Sequence, residues 1–329
     1  KRESIKTSKS SNIVFYKSIL VIKYVFIKES SIKMNGIILI DKGKGCTSHD
    51  VVNKVKYIVN EKVGHTGTLD PNATGLLPIL IGQGTKLSSY LINHSKEYEV
   101  TLKLGVKTDT ADSEGNIIDE QNVDKNILDR EKIEKIFDTF IGKQEQIPPI
   151  YSAIKVNGKK LYEYARNNIE VEIKPRIIEI YDIELIEIDI ENEIIKFIVK
   201  CSKGTYIRSL CEDIAKRMGT IGYMKELNRT KVGMFEIEDS IKIEELEENK
   251  NDKEYLKKHI ISIEEVFIKL KKDKIILDSK KLKLFFNGVK LTYNLKNEEY
   301  RVYNEKNEFI GIGSIKNNLL KREIIVEKK

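Results

Sequence analysis

The sequence predicts an α+β fold in which helices and strands are mixed without strict alternation. Its 329 residues suit one large domain and a small one, and a hydrophobic fraction of 40% can support a sizeable core. Helical and strand-like patterns follow one another irregularly along the chain, and no internal repeat is evident. The irregular order argues against a doubly wound parallel sheet.

Composition excludes some classes of protein and favours others weakly. The formal net charge of +7 with 33% charged residues indicates a mild preference for polyanionic partners, although an ordinary solvated surface with a slight lysine excess explains it equally well. The cysteines are too few and too scattered for a disulfide framework, and no cysteine pair or histidine spacing is typical of a metal site. We therefore expect a reducing, cytoplasmic setting. The three cysteines are Cys46, Cys201 and Cys211, and the four histidines are His49, His65, His94 and His259.

Residues 1–33 are expected to be an N-terminal extension outside the fold. Their apolar run, residues 13–27, is interrupted by Lys17 and Lys23, and a membrane span needs about 20 mostly apolar residues. No small-residue cleavage site of the secretory kind follows the run. We expect the ordered fold to begin near Met34, with translated upstream sequence as one origin of the extension.

The first half of the ordered chain contains three strand patterns and one helix pattern. An apolar strand at 37–40 runs into a glycine-rich turn at 42–45. Ser48 then predicts a helix N-cap, because apolar residues recur at helical spacing directly after it. A second apolar run at 76–81 predicts another strand, and strict alternation over 97–104 predicts a half-buried one.

The second half continues the same mixture. Proline and apolar residues at 147–150 break the pattern and mark an insertion, and Gly219 predicts the C-terminal end of a helix. The other predicted elements, in chain order, are a turn-rich loop at 109–115, helices at 128–140 and 159–167, strands at 177–190 and 193–201, a helix at 205–218, a charge-rich helical or linking stretch at 244–258, and a tail of short strands at 281–329 with a hairpin around 304–307.

Residues 64–75, GHTGTLDPNATG, form the most informative segment. Three glycines and a proline in so short a stretch specify an unusual backbone path, and the flanking strand patterns could hold its tip rigidly. Asp70 at that tip could act as a nucleophile or a general base. The alternative is that Asp70 and Pro71 simply begin a turn.

Arg208 is the second informative residue. It falls in the first turn of the predicted helix, where a cation opposes the helix dipole at a cost of roughly 0.3–1 kcal/mol. A buried carboxylate would more than compensate, since opposite charges about 4 Å apart attract by roughly 4 kcal/mol at an effective dielectric near 20. Pairing with Arg208 would also favour the ionised form of Asp70. The alternative is a surface arginine beside Glu212.

These residues resemble a known family. Residues 64–75 closely resemble the catalytic loop G-H-T-G-x-L-D-P-x-A-T-G of the TruB family of tRNA pseudouridine synthases, and the resemblance spans residues 34–232 with a weaker echo in the tail. Gly43 and Asn72 depart from the family pattern, where proline and a larger apolar residue are common. Further similar stretches, in the expected order, are 36–48, 96–98, 108–112, 148–155, 158–166 and 203–208.

The resemblance implies a pseudouridine synthase fold with a central mixed, mainly antiparallel sheet flanked by helices. It also implies a small C-terminal β-rich, PUA-like domain that binds RNA. The corresponding domains would be residues 34–265 for catalysis, with an RNA-contacting insertion at about 144–175, and residues 275–329 for the PUA-like domain.

The resemblance also implies roles for individual residues. Asp70 would be the nucleophile, and sequence leaves open whether it adds to the base, adds to the sugar or acts first as a base. Tyr98 would stack on the flipped uracil and help move a proton, a role compatible with packing in the core. Arg208 would pair with Asp70 and orient it.

Five further residues would contact RNA or line its site. His65 would brace the space vacated by the flipped base, with a loop histidine bonded to backbone as the alternative. Tyr206 and Leu227 would line the uracil pocket. Lys42 would support the fold or touch a phosphate, and Lys155 would contact phosphate from the insertion.

The implied activity is isomerisation of a uridine, position 55 of the tRNA T loop, without metal or cofactor. The chain would bind the T stem-loop of tRNA as a monomer, with no membrane and no obligatory protein partner. Three alternatives remain open at this point. They are a tRNA-binding chaperone, a pseudouridine synthase acting on another RNA, and an unrelated hydrolase that uses Asp70 with His65.

Overall fold

The computed structural model describes residues 33–91, 94–167 and 169–326, so the predicted extension at 1–33, apart from Lys33, lies outside the described residues. From Asn35 onward the chain forms one compact unit. Its strands are β1 Gly36–Lys42, β2 Val63–His65, β3 Thr74–Ile81, β4 Lys96–Leu104, β5 Val106–Thr108, β6 Ile117–Glu120, β7 Gly142–Gln146, β8 Lys155–Val156, β9 Lys159–Lys160, β10 Arg176–Asp189, β11 Ile194–Cys201, β12 Gly222–Val232, β13 Phe235–Glu236, β14 Ile241–Lys242, β15 Ile260–Ile261, β16 Lys274–Leu277, β17 Leu291–Thr292, β18 Glu299–Asn304, β19 Phe309–Lys316 and β20 Leu319–Ile325. Its α-helices are α1 Ser48–Val59, α2 Ser88–Leu91, α3 Arg130–Asp138, α4 Leu161–Arg166, α5 Ile207–Arg217, α6 Ile243–Glu248, α7 Lys253–Lys258, α8 Ile263–Lys269 and α9 Ser279–Phe286.

A large central sheet organises the molecule, in the order β14-β1-β3-β12-β4-β11-β10-β7, with β2, β13 and β15 paired alongside. The β1–β14 and β3–β12 pairs are parallel and the other pairs are antiparallel. The predicted α+β class with a mixed, mainly antiparallel sheet is therefore confirmed.

The core forms where helices cover this sheet. Alternation along β4 buries Tyr98, Val100, Leu102 and Leu104, as the sequence pattern predicts. Helices α3 and α5 pack against strands β10 and β12, and they share one hydrophobic cluster with β4 and β11. This packing fixes the start of α5 beside the middle of β4 and β12, where the polar residues of the site lie.

The N-cap of α1 lies one residue before the position that the sequence predicts. Thr47, not Ser48, is the N-cap: its hydroxyl accepts from the Asp50 amide, and the Asp50 carboxylate accepts from the Thr47 amide. The Ser48 hydroxyl is buried and bonds the backbone of Leu69 instead, accepting from its amide at 2.8 Å and donating to its carbonyl at 3.1 Å. The predicted cap is therefore wrong by one residue, because Ser48 serves a distant loop.

The C-terminal part forms a second sheet in the order β16-β18-β19-β20-β17. The hairpin predicted around 304–307 is confirmed by antiparallel β18 and β19. Residues 279–286 form α9 rather than a strand, because Asp278 caps a helix there by accepting from the Lys281 amide. Ile312 and Ile324 join the hydrophobic cluster of β1, β3 and α8, so both sheets share part of a core.

The sequence pattern does not predict β12, which lies between β3 and β4. Charged residues interrupt its alternation, and its pairing with β4 shifts register twice, after Met224 and after Arg229. No helix in the described part of the chain is long and apolar enough to cross a membrane.

Candidate active site

An open cleft of about 840 Å³ lies over the central sheet, where the loop between β2 and β3 faces the start of α5. It contains all of the predicted catalytic residues, Asp70, Tyr98 and Arg208. It also contains parts of the predicted insertion. The lining residues are His65, Thr66, Gly67, Thr68, Leu69, Asp70, Lys96, Tyr98, Tyr151, Ser152, Ala153, Tyr162, Arg176, Ile177, Ile178, Lys203, Gly204, Thr205, Tyr206, Ile207, Arg208, Met224, Leu227 and Arg229.

The loop that carries Asp70 is fixed at both ends and anchored from beneath. Its flanking strands β2 and β3 are paired with each other, and Leu69 and Ala73 are buried in the core cluster on either side of Asp70. Gly75 closes the loop with φ +101°. A Cβ there would lie 2.4 Å from the backbone oxygen of Arg229, so the close approach of β12 requires glycine.

Lys42 supports this loop from inside the protein. It is 0% exposed, and its ammonium donates to the carbonyls of Gly43, Pro71 and Ala73 at 3.0, 2.9 and 2.7 Å. Burial lowers the pKa of Lys42 from its usual value, against the opposing effect of nearby acids. Of the two predicted roles, the structure favours support of the fold. All three ammonium hydrogens bond carbonyls, and a contact between Lys42 and a phosphate stays an untested prediction.

Arg208 lies in the first turn of α5 and reaches Asp70. Its Nε atom is 3.2 Å from Oδ2 of Asp70, and its Nη2 atom donates to Oδ1 at 3.5 Å. The arginine side chain is 7% exposed and that of Asp70 is 36% exposed. The alternative of a surface arginine beside Glu212 is therefore wrong, and the structure brings the two predicted residues together.

The guanidinium of Arg208 is shared with a second carboxylate that the sequence did not single out. Asp112, in the loop between β5 and β6, places Oδ2 3.2 Å from Nη1 of Arg208. The backbone carbonyls of Thr110 and Tyr151 accept from the same guanidinium at 3.2 and 2.9 Å. Two acids and two carbonyls therefore compensate the unfavourable position of a cation at a helix N-terminus.

The pKa of Asp70 is raised above its usual value. Burial of the carboxylate is the largest cause, Arg208 opposes it, and the negative charge of Asp112 adds to it. Arg208 lowers the pKa of Asp70, as expected, but burial raises it by more. Asp70 is therefore a stronger proton acceptor than an ordinary aspartate.

Tyr98 lies opposite Arg229 in the register of β4 and β12. The tyrosine is 7% exposed and contributes to the cleft wall, so core packing and a cleft-facing role coexist. Burial raises the pKa of Tyr98 to about 12, against the opposing effect of the Arg229 cation. The hydroxyl is therefore protonated at neutral pH.

The other predicted residues divide between the cleft and the surface. His65 lines the cleft, and its Nδ1 accepts from the Gly67 amide at 3.2 Å, which is the backbone-bonded alternative. Burial lowers the pKa of His65. Tyr206 and Leu227 also line the cleft. Lys155 is exposed on the short β8–β9 hairpin and is not part of the lining.

Two buried basic residues of the cleft were not predicted. Arg229 is 1% exposed and Lys96 is 8% exposed. Lys96 belongs to the stretch 96–98 that resembles the family, and alternation along the strand places it on the same face as Tyr98. No local signal marks Arg229, because β12 itself is irregular. Among the described residues, no group of three or more His, Cys, Asp or Glu side chains is arranged to hold a metal ion.

Comparisons with known proteins agree with this geometry. The chain matches the profile of the TruB family pseudouridylate synthase N-terminal domain over residues 55–207 and that of the tRNA pseudouridylate synthase B C-terminal domain over residues 208–267. It is 44% identical to the tRNA pseudouridine synthase B of Clostridium kluyveri over 287 residues, covering 85% of this chain and 95% of that protein. For the protein of the same name from Clostridium novyi the identity is 45% over 298 residues, covering 88% and 99%.

Solved structures show the same fold. A chain of a crystallised Cbf5–Nop10–Gar1 complex superposes with a TM-score of 0.62 at 26% identity, covering 89% of this chain and 84% of that chain.

Proposed function

The chain belongs to the TruB family of pseudouridylate synthases, and we propose that it isomerises one uridine of the tRNA T loop, position 55, to pseudouridine. The curated relatives that match nearly their whole length are named tRNA pseudouridine synthase B, which supports tRNA as the substrate. One observation carries the assignment of residues. The Asp70 carboxylate, on a rigid loop, is held by the buried Arg208 guanidinium at 3.2 Å within the cleft that Tyr98 lines.

In the proposed reaction, Asp70 is the nucleophile that attacks the target nucleotide. The bond between C1′ and N1 breaks, the uracil rotates, and a bond forms between C1′ and C5. The proton on C5 leaves and N1 gains one, so that all atoms of the uridine are retained. Because the change is an isomerisation, the proposed reaction needs no cofactor, metal or co-substrate.

Arg208 orients Asp70 and stabilises its negative charge. Its planar fork spans two carboxylates and two carbonyls, which a lysine could not do. The raised pKa of Asp70 makes its ionised form a stronger base and nucleophile than an ordinary aspartate carboxylate. Asp112 fixes the far side of the guanidinium, which limits rotation of Arg208.

Tyr98 receives the uracil. A base paired or stacked in the T loop is inaccessible, so it must be turned out at a cost of roughly a few kcal/mol. Stacking on an aromatic ring contributes roughly 1–3 kcal/mol per base and offsets much of that cost. We propose that Tyr206 and Leu227 complete the uracil pocket and that His65 braces the space left in the RNA.

RNA binding is proposed to extend beyond the cleft. Lys96, Arg176 and Lys203 line the cleft and would attract the backbone of the T loop, while Lys155 on the exposed hairpin adds phosphate contacts. The five-stranded sheet would be the PUA-like RNA-binding module at residues 275–329, joined to a catalytic domain at 34–265. We further propose that the chain acts in the cytoplasm as a monomer without an obligatory protein partner.

The decisive experiment incubates the purified chain alone with an unmodified tRNA transcript and maps pseudouridine at nucleotide resolution. We expect product at one T-loop uridine. A transcript with cytidine at that position is the matched substrate control and should give none. Gel filtration of the same preparation tests whether the active species is a monomer.

The matched enzyme control is Asp70→Asn, which keeps the shape of the side chain and removes its charge. We expect no product from this variant although it retains tRNA binding. Product at the wild-type rate from Asp70→Asn would refute the role of Asp70, and product at a different nucleotide would refute the proposed position.

A further inference from the structure

Arg229 is a buried cation for which the proposed reaction has no use so far. It ranks among the largest fully buried side chains of the described residues. In the sheet it lies opposite Tyr98 of β4 on one side and opposite Gly75 of β3 on the other. Strand β12 therefore places this arginine between the ring that would receive uracil and the loop that carries Asp70.

Two backbone carbonyls accept hydrogen bonds from the Arg229 guanidinium. Its Nε donates to the carbonyl of Leu76 at 2.8 Å, and its Nη2 donates to the carbonyl of Gly67 at 3.1 Å. Tyr98 faces Arg229 in the register of β4 and β12, and the positive charge of Arg229 acts to lower the pKa of Tyr98. Gly67 and Leu76 lie on opposite sides of Asp70 in the chain, so one planar group bonds both ends of the loop beside the phenol.

Burying this cation costs more free energy than stabilisation of the fold alone would require. The acceptors are two backbone carbonyls and the facing residue is a phenol, so none of these groups is charged, and burial lowers the pKa of Arg229. A buried cation without a carboxylate partner costs more free energy than an apolar side chain of similar volume. Such a breach of the usual rule is typical of functional sites. The fork geometry also suits the positioning of several groups at once.

We propose that Arg229 is a positioning residue for pseudouridine formation, and that it fixes the Tyr98 hydroxyl relative to the Asp70 carboxylate. This inference rests on the proposed function. Arg229 acts through Tyr98 and the Asp70 loop and does not itself contact the reacting atoms. Its loss therefore slows the chemical step and leaves tRNA affinity nearly unchanged.

The test compares Arg229→Lys with wild type in single-turnover reactions at saturating tRNA, together with the dissociation constant for tRNA. Lysine keeps the charge and loses the fork. A misplacement of about 1 Å in an active site costs about 10²-fold in rate, and we expect a loss of that order with the dissociation constant within about twofold. Should Arg229→Lys melt below the assay temperature, Arg229→Gln, with a planar group and two N–H donors, replaces it.

Arg217→Lys is the matched control. Arg217 lies in the last turn of α5, outside the cleft lining. It donates from Nη1 to the Thr139 hydroxyl at 2.8 Å and lies over the Phe140 ring, so its substitution also removes the fork of an arginine that bonds an uncharged acceptor. We expect Arg217→Lys to leave both the single-turnover rate and the dissociation constant for tRNA unchanged.

A second measurement separates positioning from support of the fold. In a Tyr98→Phe background, Arg229→Lys should cause a loss roughly tenfold smaller than in the wild-type background, because the Tyr98 hydroxyl is already absent. Equal losses in both backgrounds, or an unchanged rate for Arg229→Lys, would overturn the inference. Wild-type protein that forms no pseudouridine would instead refute the proposed function, so the two failures are distinguishable.

Discussion

Two glycines of one sequence motif should differ sharply in their tolerance of alanine. Gly75 has φ +101°, and a Cβ there would lie 2.4 Å from the oxygen and 2.7 Å from the nitrogen of Arg229, and 2.5 Å from the Asn228 side-chain oxygen. Gly67 would place a Cβ 3.5 Å from the Arg229 guanidinium and 3.7 Å from Lys96, which are ordinary contacts. The motif contains glycine at both positions, but the structure has room for a Cβ only at position 67.

The expected magnitudes follow from these distances. In Gly75→Ala, the backbone strain costs roughly 1–3 kcal/mol. The clash with β12 costs roughly 1–3 kcal/mol more, because two of the three nearest atoms belong to the backbone of Arg229 and cannot move without the strand. The free energy of unfolding should therefore fall by about 2–6 kcal/mol. Gly67→Ala should change it by less than about 1 kcal/mol, and restriction of the unfolded chain favours a slight gain.

Urea unfolding followed by far-ultraviolet circular dichroism measures both variants beside the wild type. Stability rather than activity is the readout, because Gly67 lines the cleft and a methyl group there could hinder RNA. A Gly75→Ala protein within about 0.5 kcal/mol of wild type would refute the argument. A Gly67→Ala protein destabilised as strongly as Gly75→Ala would refute it equally.

Three further predictions concern the charges around Asp70. Arg208→Lys should lower the single-turnover rate by about 10²-fold with a modest change in tRNA affinity, and an unchanged rate would remove Arg208 from the site. Lys42→Met should lower the free energy of unfolding by about 2–4 kcal/mol in urea titrations, because three carbonyls lose their donor while the cost of burying an ammonium is relieved; a neutral effect would contradict the support role. Asp112→Asn should shift the acid limb of kcat/KM to lower pH. The negative charge of Asp112 raises the pKa of Asp70, so its removal lets Asp70 ionise at lower pH, and a limb that stays in place or moves upward would argue against this coupling.

The site residues whose role is marked by the sequence immediately around them were predictable. Strict alternation along β4 placed Tyr98 on the buried face. The glycine and proline content of residues 64–75 indicated a rigid loop, and the position of Arg208 in a helix's first turn indicated a distant acid. In each case the signal lies within about ten residues of the side chain concerned.

The residues that sequence missed are those defined by distant partners. Ser48 has the composition of a helix cap, yet it bonds Leu69, which is 21 positions away. Asp112 meets Arg208 only because the β5–β6 loop passes the start of α5. Arg229 lies on a strand whose two register shifts hide its alternation. Such pairings depend on sheet order, which a single sequence without an alignment does not specify.

The loop that carries Asp70 is held mainly by cations that bond backbone carbonyls, so few other acids are needed to keep Asp70 in place. Four buried or nearly buried cations, Lys42, Lys96, Arg208 and Arg229, surround the loop of Asp70, and three of them bond mainly to backbone carbonyls. A carbonyl bond fixes the backbone without neutralising the cation. The cations bonded to carbonyls therefore keep their positive charge close to a cleft that we propose receives RNA phosphates. Among the described residues, Arg208 alone forms an ion pair with the Asp70 carboxylate. Were these cations paired one-to-one with acids, the loop would be held as firmly, but the net positive charge beside the proposed RNA site would be lost.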